Sequence, residues 1–105
     1  MEAKLSWANF AKIALGEGRD VQIKPRGNSM TGKVNDGDLV SLSPCEASTL
    51  KVGDIILVRC KGHDYLHLIK AIDGPRFQIG NNKGGINGWV SANAIYGIAT
   101  KVERP

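Results

Sequence analysis

The stretch Val52-Gly53-Asp54-Ile55-Ile56-Leu57-Val58-Arg59-Cys60-Lys61-Gly62-His63-Asp64-Tyr65-Leu66-His67-Leu68-Ile69-Lys70-Ala71-Ile72 decides the fold. It holds two β-type runs, Ile55 to Cys60 and Tyr65 to Ile72, on either side of a cluster of turn-forming residues that reads as a hairpin loop. A Gly-Asp pair opens the first run, with glycine at the bend and an aspartate able to accept backbone N–H bonds at the strand entrance. The same opening recurs at Gly37-Asp38-Leu39-Val40. Outward from this stretch lie five more short runs: Val21 to Lys24, Leu39 to Leu42, Phe77 to Ile79, Trp89 to Val90 and Ile95 to Val102. Turn clusters separate them at Asn35-Asp36-Gly37-Asp38, at Asp73-Gly74-Pro75 and from Asn81 through Gly88. The expected class is mainly β.

Ahead of the strands, Ser6 is placed to cap a short helix. Its apolar positions Trp7, Phe10, Ala11, Ala14 and Leu15 recur at three- and four-residue spacing, and Gly16 is placed to end it. This segment reads as an amphipathic lid on a β core. The chain has 105 residues, 42% of them apolar and 23% charged, which suits one folded domain and excludes an acidic tail or a polar linker. Within that domain, residues 1–18 form the helical segment and 19–105 the β core.

Fourteen basic residues against ten acidic ones leave a formal charge of +4. The excess forms no block of like charge, so it reads as a solvated surface. Trp89 reads as a hydrophobic cap, since a nucleic-acid surface usually combines several exposed aromatics with basic residues; binding of nucleic acid through this domain is disfavoured. Cys45 and Cys60 lack the paired spacing of a structural zinc site, so no metal or other cofactor is expected, and whether the two thiols pair is left open. From Met1 to Leu15 there is no continuous apolar run of signal-peptide or membrane-span length, and the expectation is a cytoplasmic protein without a membrane anchor.

The residues with chemical potential are few. Ser29 follows glycine in Arg26-Gly27-Asn28-Ser29-Met30, where a serine alone suits a turn. His67 lies in a strand whose two-residue alternation sets it on the face opposite Lys70, and a neutral imidazole beside a serine can act as general base. Asp36, Asp38 and Asp54 read as turn caps, and His63 with Asp64 as a weaker alternative base and acid.

Taken together, the series Gly27-Asn28-Ser29-Met30, Asp36-Gly37-Asp38-Leu39-Val40, Val52 to Val58, Leu66 to Ile72, Ile79-Gly80-Asn81-Asn82 and Ile95-Tyr96-Gly97-Ile98-Ala99 resembles the serine peptidase superfamily of LexA-type repressors and type I signal peptidases. The resemblance covers about Val21 to Val102, the peptidase core alone. It implies a compact, bent β-barrel that cuts an extended peptide segment. It makes Ser29 the nucleophile and His67 the base, histidine standing where most bacterial members carry lysine. It further places Met30 beside the oxyanion and Asn81 where histidine-type members carry an acidic partner. Asparagine can orient an imidazole but cannot stabilise imidazolium as a charge does, so a slow or inactive peptidase is implied. The alternative is a non-catalytic module of the same fold, a phage- or plasmid-type regulator that grips a protein strand or a second copy of itself.

Overall fold

A computed structural model describes residues 5–105, with side chains from Trp7 onward. Helix α1 (Leu5–Gly16) precedes β1 (Val21–Ile23), β2 (Leu39–Ser43), β3 (Ile55–Cys60), β4 (His63–Asp73), β5 (Arg76–Gly80), β6 (Ile86–Ser91) and β7 (Ile95–Glu103). The mainly β expectation therefore holds. All seven strands join one antiparallel sheet in the order β1-β2-β7-β3-β4-β5-β6, with β1 and β6 at its ends and no pairing between them.

The central hairpin explains why its two strands read as nearly continuous apolar runs. Leu57, Leu66 and Leu68 enter one core with Met30, Val34, Val40, Leu42 and the helix residues Ala11, Ala14 and Leu15. Their neighbours Ile56, Val58 and Ile69 enter a second core with Leu50, Phe77 and Ile79. Both faces of β3 and β4 are thus covered, and a strand buried on both faces has no polar side to show. The turn between them is tighter than the sequence suggests. Cys60 pairs with His63 and Arg59 with Asp64, leaving Lys61-Gly62 as a two-residue loop. Both residues have positive φ, 51° and 83°, the combination that lets a two-residue turn follow the twist of its strands.

Register shifts at Ser41/Leu42, Leu57/Val58, Ile69/Ala71 and Ile79/Gly80 interrupt four of the ladders. Such bulges bend strands and re-aim side chains. The curl brings β6 back towards the β3–β4 turn, where a Cβ added to Gly88 would lie 3.2 Å from Lys61 Cε and 3.6 Å from Cys60 Sγ.

Helix α1 covers the first core with Ala11, Ala14 and Leu15 of the expected face and with Trp7 packed against that core, but Phe10 does not join them. Ala8, Ala11, Ala14 and Leu15 are buried, whereas Phe10 and Ile13 are 59% and 62% exposed. Small side chains let the helix approach the sheet closely. Gly97 of β7 leaves room for Leu15, whose Cδ1 would stand 2.9 Å from a Cβ added there. Ser6, expected as the cap, falls within α1, and its side chain lies outside the described residues. A polar clamp completes the docking: Asp64 accepts from Lys12 Nζ of the helix at 2.8 Å, from Arg59 of β3 at 3.2 Å and from Tyr96 Oη of β7 at 3.4 Å. Lys12 Nζ also stands 5.5 Å from the Tyr96 ring centroid. Asp64 is therefore a structural anchor.

Trp89 differs from its expectation as a cap. It is 40% exposed, and the Arg76 guanidinium lies 5.6 Å from its ring centroid. Cys45 is half-buried and Cys60 buried, both as free thiols. Burial, then the charges of Asp54 and Glu46, push the Cys45 thiol up from its ordinary value, which disfavours the thiolate. Among the described residues no helix is long and apolar enough to cross a membrane.

Candidate active site around Ser29 and His67

Ser29 lies in the connection between β1 and β2, where successive turns replace regular structure. The connection is fixed from below by Met30 and Val34, both fully buried in the first core. It is fixed along its length by its own backbone: Val34 N–H donates to Met30 O at 2.8 Å, Lys33 N–H to the same oxygen at 3.0 Å, and Thr31 N–H to Asn28 O at 3.2 Å. Short polar side chains close the remaining turns. Asn35 Oδ1 accepts from Gly32 N–H, Asp36 Oδ1 from Gly27 N–H and Asp38 Oδ2 from Asn35 N–H, at 2.8 to 3.0 Å. Asp36 and Asp38 hold turns here, as does Asp54, which accepts from Lys51 N–H.

From the other side, Asn82 ties this connection to the loop after β5. Its N–H donates to Ser29 O at 3.0 Å and its Nδ2 to Thr31 O at 2.8 Å. The nucleophile candidate is thus held between a packed core and a hydrogen-bonded loop.

His67 approaches from the middle of β4, paired with Ile56 and only 3% exposed. Its Nε2 lies 3.2 Å from Ser29 Oγ. The other ring nitrogen, Nδ1, lies 2.7 Å from Asn87 Oδ1. An amide oxygen only accepts, so Nδ1 carries the proton and Nε2 presents its lone pair to the serine hydroxyl. That is the tautomer a general base requires. The Tyr65 ring stacks on the imidazole, with centroids 4.7 Å apart and planes 22° apart.

Burial lowers the His67 pKa from its ordinary 6.5 to about 4, the nearby Lys70 ammonium adds to this, and the bond to Asn87 opposes it. At neutral pH the ring is uncharged and able to take a proton, although it is a weak base.

Asn81 does not join this group. Its Oδ1 accepts from Lys83 N–H and Gly85 N–H at 2.8 Å, so it shapes its own loop. The orienting place is taken by Asn87, which sequence reasoning missed. The register shift explains the difference. Gly80 pairs with Ile86 and Ile79 with Gly88, so Asn87 is the extra residue of a bulge on β6 and is turned towards the neighbouring imidazole. Its only local sign is its setting before Gly88, in a stretch that reads as loop. Met30 contributes a buried side chain that seats the turn. His63 and Asp64 lie in β4, with Asp64 committed to the helix clamp.

A groove lined by Phe10, Arg19, Asp20, Val21, Gln22, Ser41, Leu42, Ser43 and Thr100 includes neither Ser29 nor His67. Among the described residues no group of three or more His, Cys, Asp or Glu is arranged to hold a metal ion. The chain matches no protein-family model, and no curated protein matches it significantly.

Proposed function

We propose that the protein is a serine peptidase-like domain in which Ser29 attacks the carbonyl of an extended peptide and His67 takes its proton. The Ser29–His67–Asn87 relay, with bonds of 3.2 and 2.7 Å, carries this reading. On attack, the hydroxyl proton moves to Nε2 as the Oγ–C bond forms; on collapse, imidazolium returns it to the leaving amine and the acyl group stays on Ser29. Water then repeats the sequence and releases the acid.

Two backbone amides next to the nucleophile suit the oxyanion. Thr31, Gly32, Lys33 and Val34 spend their N–H groups inside the turn, whereas among the described residues those of Ser29 and Met30 donate to no group. The bent barrel of the LexA and signal-peptidase superfamily, and a cytoplasmic location, belong to the same proposal. The curled sheet with four register shifts supports the former.

The neutral partner sets the rate. Asn87 holds the tautomer but offers no charge to imidazolium, so turnover is slow. The same observation favours one second reading, a strand-gripping module that has kept the relay's geometry with little chemistry. Incubating the protein with a randomised peptide library separates the two: new termini that vanish in Ser29→Ala and in His67→Ala support the peptidase, whereas products that persist in either variant remove that residue from the mechanism.

A further inference from the structure

Two of the three segments that build the relay, those carrying Ser29 and Asn87, share a charge bias. Residues 21–35, which carry Ser29, contain Lys24, Arg26 and Lys33 and no Asp or Glu. Residues 74–102, which carry Asn82 and Asn87, contain Arg76, Lys83 and Lys101 and again no Asp or Glu. In a chain with ten carboxylates, β4, which carries His67, holds Asp64 and Asp73, whereas these 44 positions hold none and include Ser29.

Three of the lysines stand close to it by the structure's own connections. Lys33 ends the Ser29 turn, its N–H bonded to Met30 O. Lys83 follows Asn82, the residue bonded to both Ser29 O and Thr31 O. Lys70 occupies the bulge of β4 and runs across Gly80, where an added Cβ would lie 3.0 Å from its Cγ and 3.1 Å from its Cε. Lys33 and Lys83 are exposed and Lys70 half-buried. Among the described residues none of the three forms an ion pair. Of the carboxylates that follow Ser29 most closely in sequence, Asp36 faces Arg26 and Gly27 N–H, and the buried Asp38 faces Arg104.

We infer that this site selects peptides with acidic side chains flanking the bond at Ser29, which Lys33, Lys70 and Lys83 attract. The inference rests on the peptidase-like reading for the position of the substrate. Unpaired cations of one sign around a site raise the local concentration of an oppositely charged ligand and favour its productive register. An extended segment is the favoured occupant over a nucleic acid, because the relay is a peptide-cutting arrangement and the described residues near it show Trp89 as the single large exposed aromatic, already covered on one side by Arg76.

The test uses a randomised decapeptide library with the intact protein, reading cut products by mass spectrometry, and the same library on immobilised Ser29→Ala, reading retained peptides. Glu or Asp within three positions of the cut should be enriched about tenfold over Gln or Asn, and Lys or Arg depleted. Lys33→Glu with Lys83→Glu should bring the acidic-to-neutral ratio to about one or below, and 0.5 M salt should shrink it in the unmodified protein. Cutting without acidic enrichment overturns the charge selection and leaves the peptidase reading standing. Acidic enrichment on Ser29→Ala without any cutting removes the peptidase reading and keeps the selection. If no peptide is cut or retained, or if a single-stranded DNA oligonucleotide is held more tightly than any peptide, the selection is overturned.

Discussion

Replacing Asn87 with aspartate tests the weakest part of the proposed relay. In the wild-type protein the imidazole has a pKa of about 4, held down first by burial, and its partner 2.7 Å away is neutral. A carboxylate at that distance favours the charged ring, by about 1 to 3 pKa units for close opposite charges. Each unit is about 1.4 kcal/mol of imidazolium stabilisation, so a one-unit rise already corresponds to about tenfold in rate if the transition state carries most of that charge. Because the reactive form is the neutral ring, activity falls as pH drops through the imidazole pKa. The acid limb should therefore stand near pH 4 in the wild type and 1 to 3 units higher in Asn87→Asp, alongside a plateau rate at pH 8 raised about tenfold or more. The assay is kcat/KM against pH on a cleaved library peptide, with the ring followed by NMR titration. A variant whose acid limb does not move, or whose plateau falls while the fold is intact, would refute the assignment of Asn87 as the orienting group.

Three further outcomes follow from the packing and charges around His67, Asp64 and Gly97. Since the His67 pKa is lower in the folded chain than in the unfolded one, its contribution to stability is complete above pH 6.5 and is lost as pH falls through 6.5 towards about 4; denaturant melts should show about 3 kcal/mol more loss over that window in the wild type than in His67→Gln. Asp64→Asn leaves Lys12 without its carboxylate and should cost about 1 to 3 kcal/mol, with the helix signal melting first; an unchanged urea midpoint would remove the clamp from the account. Gly97→Ala would set a Cβ 2.7 Å from Ser43 O and 2.9 Å from Leu15 Cδ1, and should cost about 2 kcal/mol, or about 10 °C in Tm by calorimetry; wild-type stability would mean that helix and sheet are not packed as described.

What the sequence reveals and what it hides divide along physical lines. Runs such as Ile55 to Cys60 are legible because apolar β-type residues end at a turn cluster, and the observed strand has those bounds. Helix α1 is legible as an element, yet Phe10 and Ala8 exchange places: Ala8 is buried with Ala11, Ala14 and Leu15, which seats against Gly97, while Phe10 is exposed. Ser29 and His67, 38 positions apart, carry no local sign of their 3.2 Å contact; only the ordered series of motifs suggests it. Asn87 is hidden for a different reason. A bulge adds one residue to a strand without marking the sequence, and two-residue alternation cannot say which side chain it re-aims. The bulge at Lys70 is equally silent: alternation sets that lysine apart from His67, whereas the break in register lays it across Gly80, near enough for its charge to act on the ring.

The most direct measurement of the central claim is covalent capture of the nucleophile. The protein is treated with a fluorophosphonate, which reacts with a serine hydroxyl only where a base removes its proton, and the adduct is mapped by peptide mass spectrometry. The account predicts one adduct, on Ser29, forming at least a hundredfold more slowly in His67→Ala at pH 7. No adduct on Ser29, or one that forms equally fast without His67, would contradict it.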